Sequence, residues 1–209
     1  ETAYEIVTDL LDGFRKKQSW EMKFSRVSVR STINECVKNS SLKAKEKKIE
    51  LIINDAIADH SDIYADQKSM IQLFSNIIDN AVKFSPYESK IKIGIRMRTS
   101  TLEQKDTSNQ AVSIVVSDEG PGIPEDKLGI IFESYQQARK SDADIGTGLG
   151  LSICRRICDL HKGQIWATRN ITGGTSMRVM LPSFKSKSEA IQVRAHSEIA
   201  EAKQYDSYK

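Results

Sequence analysis

The segment that most constrains this chain is a helical pattern between Gln67 and Phe84 that carries two amides on its polar side. At 100° per residue, Asn76, Asn80 and Lys83 fall within about 60° of one another. The opposite arc is apolar and consists of Met70, Leu73, Phe74, Ile77 and Ala81. A solvated helix face usually carries Glu, Lys and Arg, and Asn is a mediocre helix former. The pattern therefore predicts a helix with one face in a core and leaves open whether the other face is solvated or functional.

Three glycine-containing motifs follow this helix in order. They are Asp118-Glu-Gly120-Pro-Gly122, Gly146-Thr147-Gly148-Leu149-Gly150 and Gly173-Gly174-Thr175. Glycines before a helix expose backbone N–H groups to anions, and amide oxygens and a lysine suit Mg²⁺ and phosphate. A carboxylate at a strand end can accept a hydrogen bond from an exocyclic amino group, although a tight Asp-containing turn is common there. The four segments together predict a site for a polyanionic ligand and its metal.

Composition narrows the classes of protein to which the chain can belong. Of 209 residues, 39% are hydrophobic and 28% charged, which is typical of a globular protein, and a net charge of +3 is too small to indicate a nucleic-acid partner. We find no apolar stretch of membrane-spanning length and no signal peptide. A start without Met suggests a fragment of a longer protein, so the parent could still be membrane-anchored. The cysteines described next favour a reducing cytoplasm for this domain.

The chain has three cysteines, and their spacings match no zinc-binding pattern. Cys154 and Cys158 lie one turn apart on a predicted amphipathic helix. Two buried free thiols are the simpler interpretation, and a redox switch is the alternative.

The remaining segments alternate between helical and strand patterns. Alternation from Ile91 to Met97 predicts a strand with one wet face, and the apolar run 111–117 predicts a central strand. Further strands are predicted at 51–57, 163–167 and 175–181, helices at 29–48, 127–133 and 148–161, and a turn at 61–66. The first of these helices would bury Ile33, Val37, Leu42 and Ala44, and Gly163 resembles a glycine that follows a helix end. These elements predict an α+β two-layer sandwich, with a mixed, mostly antiparallel sheet and helices on one face.

The motifs resemble the N, G1, F, G2 and G3 boxes of sensor histidine kinases, in the family order and spacing. The matching segments are Asn76-x-x-x-Asn80-Ala-x-Lys83-Phe84, Asp118-x-Gly120-x-Gly122, Phe132-x-x-Tyr135, Gly146-x-Gly148-x-Gly150 and Gly173-Gly174-Thr175. The resemblance covers about residues 25–182. It implies the Bergerat-type ATP-binding fold shared with DNA gyrase, mismatch-repair ATPases and heat-shock chaperones, with ATP and Mg²⁺ as ligands.

The resemblance also implies roles for individual residues. Asn80 would hold Mg²⁺ and act with Lys83 in catalysis, and Asp118 would bind the adenine amino group. Phe132 would anchor a mobile lid by packing. The residues expected to contact the nucleotide are Asn76, Asn80, Lys83, Phe84, Asp118, Gly120, Gly122, Gly146, Thr147, Gly148, Leu149, Gly150 and Thr175.

The predicted lid departs from the family pattern. Many relatives place a basic residue close before the G2 glycines, whereas Asp142 and Asp144 stand there in this chain. Arg139 and Lys140 lie further back. Which of these cations contacts the γ-phosphate stays open, with Arg139 favoured.

Histidine kinases phosphorylate a histidine that lies on a helix of a separate domain and precedes Glu or Asp. His60 is predicted in a loop, His161 at a helix end in a structural role, and His196 in the tail, so none resembles that acceptor. Residues 1–18 carry an apolar stripe at helical spacing, which favours a helix of a neighbouring domain or a dimer interface over a core helix. The resemblance implies that this helix is the last one of the dimerisation and phosphoacceptor domain. The predicted order is this helix, a linker at 19–24, the catalytic domain at 25–182, and a linker or tail at 183–209.

The predicted function is therefore transfer of the ATP γ-phosphoryl group to a histidine on the phosphoacceptor domain of the same parent protein. A homodimeric parent and the receiver domain of a response regulator are implied as partners. One alternative is a degenerate kinase that acts as a nucleotide-gated interaction module, which the acidic lid favours. Another is a serine kinase of the anti-sigma type, which the helical segment 1–18 disfavours.

Overall fold

The computed structural model describes residues 22–55, 62–99, 110–133, 149–170 and 173–183 of the chain. Within them lie three helices: α1 (Val29–Glu46), α2 (Gln67–Phe84) and α3 (Gly150–Leu160). The strands are β1 (Phe24–Ser28), β2 (Glu50–Asp55), β3 (Asp62–Asp66), β4 (Lys90–Thr99), β5 (Gln110–Ser117), β6 (Gln164–Arg169) and β7 (Thr175–Pro182).

The main sheet has five strands in the order β2-β4-β5-β7-β6, so β5 is central as predicted. Strand β2 runs parallel to β4, and the remaining pairs are antiparallel. Alternate residues of β4, Ile91, Ile93 and Ile95, are buried, whereas Lys92 and Arg96 on the opposite face of the strand are exposed. This alternation places one face of the sheet against the helices, and the predicted α+β sandwich is confirmed.

Helices α1 and α2 begin at side-chain caps and lie side by side in the same direction. Ser28 Oγ accepts a hydrogen bond from Ser31 N at 3.3 Å, and Asp66 Oδ1 accepts one from Ser69 N at 2.8 Å. Midway along both helices Ser75 Oγ lies 3.4 Å from the sulfur of Cys36, and Lys47 contacts the far end of α2. The apolar arc predicted for α2 is buried. The polar arc is consequently turned away from the core.

Within the segment 61–66, which we predicted as a turn, the described residues Asp62–Asp66 instead form strand β3. It pairs in antiparallel register with β1, from Phe24 opposite Asp66 to Ser28 opposite Asp62. The prediction was wrong because the segment acquires its extended form from a partner about forty residues earlier in the chain. Local turn residues carry no information about such a partner.

The expectation that Leu42 lies in the core was also wrong, because its side chain is 68% exposed. Ile33 and Ala44 are buried as expected. Leu42 lies nine positions after Ile33, which at 100° per residue places it about half a turn away from the buried face.

One helix expected from the sequence does not form, and the helix end that precedes Gly163 differs in detail from the expected pattern. Instead of a helix at 127–133, the structure has a 3₁₀ turn at Glu125–Lys127 followed by further turns, with Ile130 N donating to Lys127 O, three residues back. The left-handed residue after α3 is Lys162, with φ of 53°, rather than Gly163. Gly163 is required for space, because a Cβ built there would lie 2.6 Å from Met180 O.

Several predictions fall outside the described residues: the helix at 1–18, His60, the lid between Tyr135 and Gly146 with its charged residues, and the tail with His196. Among the described helices, none is long and apolar enough to cross a membrane.

Candidate functional site

The polar side of α2 forms one wall of the candidate site. Asn76, Asn80 and Lys83 are half-buried on this side, and Phe84 at the helix end is 54% exposed. Lys83 Nζ lies 5.3 Å from the centroid of the Phe84 ring. The helix thus presents two amides, a cation and an aromatic ring at the edge of the core.

Asn76 connects this wall to the beginning of α3. Its Nδ2 donates to the carbonyl oxygen of Gly150 at 3.3 Å. Leu149 occupies the N-cap position of α3, and the contact of Gly150 with Asn76 places this described end of the Gly146–Gly150 motif beside α2. The positions of Gly146, Thr147 and Gly148 fall outside the described residues.

Asp118 follows the central strand β5 and is only 9% exposed. Its Oδ1 accepts hydrogen bonds from the backbone N–H of Gly120 at 2.8 Å and of Thr175 at 3.0 Å. No residue in the described part of the chain donates to Oδ2. Burial raises the pKa of this carboxyl group, and the two backbone donors act in the opposite direction. One carboxylate oxygen is therefore held by the backbone while the other stays available as an acceptor.

Glycines allow the backbones around Asp118 to approach closely. A Cβ built on Gly120 would lie 2.8 Å from Phe84 O, so the Asp118 turn packs against the end of α2. Gly174 has φ of 81°, and a Cβ there would lie 2.1 Å from Asp118 O. Gly122 has φ of 72° and faces the carbonyl of Gly174. Side chains at these positions would push the Asp118–Gly122 turn away from the end of α2 and from Gly174.

The contacts bring together the residues that the sequence analysis assigned to one site. Asn76 meets Gly150, Phe84 meets Gly120, and Asp118 meets Thr175. One end of this site offers a carboxylate acceptor for an amino group, and the other offers amides and an ammonium group for phosphates. The side chains are of the kind that binds an adenine nucleotide.

The donor set also fits Mg²⁺. Among the described residues, no group of three or more His, Cys, Asp or Glu side chains could hold a metal ion. The half-buried amide of Asn80 supplies a hard oxygen, and Mg²⁺ is commonly held by one or two protein oxygens together with substrate phosphates and water. Asn80 could therefore contribute to a site that is completed by a nucleotide.

Two contacts near the site were not predicted. Lys47 Nζ donates to the carbonyl oxygens of Val82, Lys83 and Ser85, at 2.6 to 3.1 Å, and so ties the end of α1 to the end of α2. Asn170 Nδ2 donates to Asp118 O at 3.1 Å. Both partners lie 35 or more residues away in sequence, so local patterns give no indication of either contact.

The predictions of structural roles for His161 and the cysteines are confirmed. His161 is buried, its Nε2 accepts a hydrogen bond from Asp66 N at 3.1 Å, and its Nδ1 lies 2.7 Å from Ile157 O. Burial lowers the pKa of this imidazole. Cys154 and Cys158 are buried free thiols, and burial raises the pKa of Cys154 to about 12.

Comparison with known proteins agrees with this geometry. Residues 65–185 match the family described as histidine kinase-, DNA gyrase B-, and HSP90-like ATPase. An adaptive-response sensory kinase SasA from Gloeothece citriformis is 32% identical over 181 residues, which cover 86% of this chain and 44% of the relative. A SasA from Synechococcus elongatus is 34% identical over 134 residues, which cover 64% of this chain and 32% of the relative. The chain thus spans less than half the length of these relatives.

Solved structures show the same fold. The catalytic domain of histidine kinase ThkA, in a nucleotide-free form, is 29% identical with a TM-score of 0.62, over 77% of this chain and 96% of that one. Full-length ShkA in complex with AMPPNP has a TM-score of 0.67 over 87% of this chain and 36% of that one, and its 24% identity supports the fold alone. The matched family model, the site geometry and these neighbours agree: this chain belongs to the histidine kinase-, DNA gyrase B- and HSP90-like ATPase family, and its ATP-binding domain is of the histidine kinase type.

Proposed function

We propose that the chain binds ATP with Mg²⁺ at this site and transfers the γ-phosphoryl group to a histidine of a separate dimerisation domain. The geometry of Asp118 carries the proposal. Its Oδ1 is held by two backbone donors, Oδ2 is left without a donor among the described residues, and the side chain is almost fully buried. A buried acceptor held in this way suits the exocyclic amino group of adenine, because a site built around one hydrogen bond rejects ligands that lack the donor.

The helix α2 would bind the other end of the nucleotide. Lys83 would neutralise phosphate charge, and Asn80 would supply an oxygen to Mg²⁺ while Asn76 supports the phosphates. Bound Mg²⁺ stabilises negative charge on the phosphates during phosphoryl transfer. The protein side chains would contribute by positioning the nucleotide and offsetting its charge, since phosphoryl transfer requires little covalent chemistry from the protein.

The acceptor histidine would come from the remainder of the parent protein. The relatives are named as sensory kinases and are more than twice as long as the matched segment. Our predicted order, with residues 1–18 as the end of the phosphoacceptor domain and the catalytic domain at 25–182, fits such a parent. A homodimeric parent that operates in the cytoplasm and passes the phosphoryl group to a receiver domain is part of this proposal.

Calorimetric titration of the chain with ATP, with and without Mg²⁺, tests the nucleotide site. We expect binding that Mg²⁺ strengthens, and we expect Asn80→Ala to remove the Mg²⁺ dependence. Gln72→Ala is the matched control, because Gln72 lies exposed on the same helix two turns earlier. A folded chain that binds no ATP would refute the proposal.

Transfer is tested by adding radiolabelled ATP and a histidine-kinase dimerisation domain in trans. Phosphohistidine is labile in acid and stable in alkali, whereas phosphoserine is stable in acid, so the label identifies the acceptor. Acid-labile label on the added domain supports the proposal. Acid-stable label indicates a serine kinase, and nucleotide binding with no labelled protein indicates a nucleotide-gated module.

A further inference from the structure

The hairpin between β6 and β7 packs directly against the backbone of Asp118. Asp118 N donates to Thr175 O at 2.9 Å, and Thr175 N donates back to the Asp118 carboxylate. The α-carbon of Gly174 lies so close to Asp118 O that no Cβ would fit between them. The position of the Asp118 carboxylate therefore depends on how this hairpin is held.

Asn170 closes the hairpin with its backbone. Its N–H donates to Gly174 O, and its carbonyl accepts from Gly173 N, each at 3.1 Å. Both glycines have positive φ, at 92° and 81°, so this tight closure is available to the backbone only because they lack side chains.

The side chain of Asn170 extends from this closure to the site. Its Nδ2 donates to Asp118 O at 3.1 Å, and its Oδ1 accepts from the Ser176 hydroxyl at 2.6 Å. Ser176 Oγ in turn lies 2.7 Å from Ser117 Oγ. These contacts link the end of β5 to the beginning of β7.

The direction of each hydrogen bond in this network follows from its chemistry. The carbonyl of Asp118 can only accept, so the Asn170 amide nitrogen must face it. The Asn170 oxygen then accepts the Ser176 hydroxyl proton, and Ser176 must accept the proton of Ser117. Asn170 is thus fixed in one orientation, with both ends of its amide used.

We propose that Asn170 is a positioning residue that determines selectivity for the adenine amino group. It does not contact the carboxylate of Asp118. It acts through the Asp118 carbonyl and through the hairpin that supplies the Thr175 donor. The inference rests on the proposed function, in which Asp118 Oδ2 accepts a hydrogen bond from the nucleotide.

The test compares two nucleotides, ATP and purine riboside triphosphate, which lacks the 6-amino group. Binding to the full chain is measured by calorimetry. We expect the wild type to bind ATP more tightly than the analogue. We expect Asn170→Ala to lower the affinity for ATP by about tenfold and to change the affinity for the analogue by less than about twofold. A merely structural role would weaken both nucleotides equally, because both share the sugar and phosphates.

Two further variants keep the test decisive. Asn170→Asp retains the acceptor for Ser176 but replaces the donor that faces Asp118 O, so we expect a selectivity loss at least as large as that of Asn170→Ala. Thr168→Val is the matched control on the adjoining strand β6, because Thr168 Oγ1 accepts from Arg178 Nε and takes no part in the network. If Asn170→Ala does not fold, Ser176→Ala, which leaves the amide in place, is expected to reduce selectivity in the same direction.

The failures are distinguishable. A folded wild type that binds neither nucleotide contradicts the proposed function. A wild type that binds both nucleotides with equal affinity contradicts the role of Asp118 in recognising the amino group, and with it the role of Asn170. A wild type that prefers ATP, with the same preference in Asn170→Ala and Asn170→Asp, overturns the role of Asn170 alone. An equal loss of affinity for both nucleotides in the Asn170 variants also overturns the proposed role of Asn170.

Discussion

Replacing Asp118 by Asn separates the binding function of this side chain from its role in the fold. The Asn side chain has nearly the same shape, and its oxygen can still accept from Gly120 N and Thr175 N, as Asp118 Oδ1 does now. The second oxygen becomes an amide donor. It would then face the amino group of adenine, which is also a donor.

The magnitude for binding follows from the lost hydrogen bond. A hydrogen bond to a charged group contributes about 1.5–3 kcal/mol, which corresponds to an increase in Kd of about 10-fold to 150-fold. Because the two donors now face each other, we expect the measured loss to lie at or above the upper end of this range.

The expected effect on stability has the opposite sign. Burial raises the pKa of Asp118, so the folded state disfavours the ionised carboxylate. The wild type therefore loses stability as pH rises from the ordinary Asp value of 3.8 through the raised pKa, and the full loss is present at neutral pH. The amide that replaces the carboxylate carries no charge, so we expect Asp118→Asn to be at least as stable as the wild type at pH 7.

The assay pairs ATP titration by calorimetry with urea unfolding at pH 7. Asp126→Asn is the matched control, because Asp126 is exposed in the turn that follows the Asp118–Gly122 motif. Loss of ATP binding, with a stability at least equal to that of the wild type, confirms the prediction. It is refuted if Asp118→Asn binds ATP as the wild type does, or if it unfolds at a clearly lower urea concentration, which would indicate that Asp118 is primarily a structural residue.

Three further predictions concern the described core. Replacing Lys47 by Met should lower the free energy of unfolding by about 1–3 kcal/mol, because three carbonyls lose their donor. The control Lys48→Met breaks only an exposed ion pair with Glu88 and should change this free energy by less than about 1 kcal/mol. Urea unfolding measures both. Burial lowers the pKa of His161 below its ordinary value of 6.5, so the contribution of the neutral imidazole to the free energy of unfolding should be fully present above pH 6.5 and should fall as pH decreases toward the lowered pKa. Unfolding curves of His161→Asn should lack this dependence. Cys154 and Cys158 are buried, and burial raises the pKa of both thiols. A thiol-labelling disulfide reagent at pH 7 should therefore leave both unmodified in the folded chain and modify them in denaturant. Rapid labelling of the native protein would contradict this expectation.

Prediction from sequence succeeded where one element carries its own pattern. The period of α2 placed Asn76, Asn80 and Lys83 together, and the structure has all three half-buried on one side of the helix. It failed where an element depends on a distant partner. Strand β3 was predicted as a turn because its pairing with β1 has no local trace. Leu42 was misplaced by counting apolar residues without following the helical angle.

The sequence by itself determined the family, the order of the motifs and the chemical types in the site, because a helical period and glycine spacing are local properties of the chain. Tertiary structure decided what those residues contact. Only folding brings Gly174 against Asp118 O, places Asn170 behind that same carbonyl, and sets Lys47 on the end of α2. These contacts join segments that are 35 or more residues apart, and buried hydrogen bonds form wherever the packed backbone leaves a polar group in need of a partner. That requirement belongs to the folded chain as a whole, so no single segment of the sequence records it.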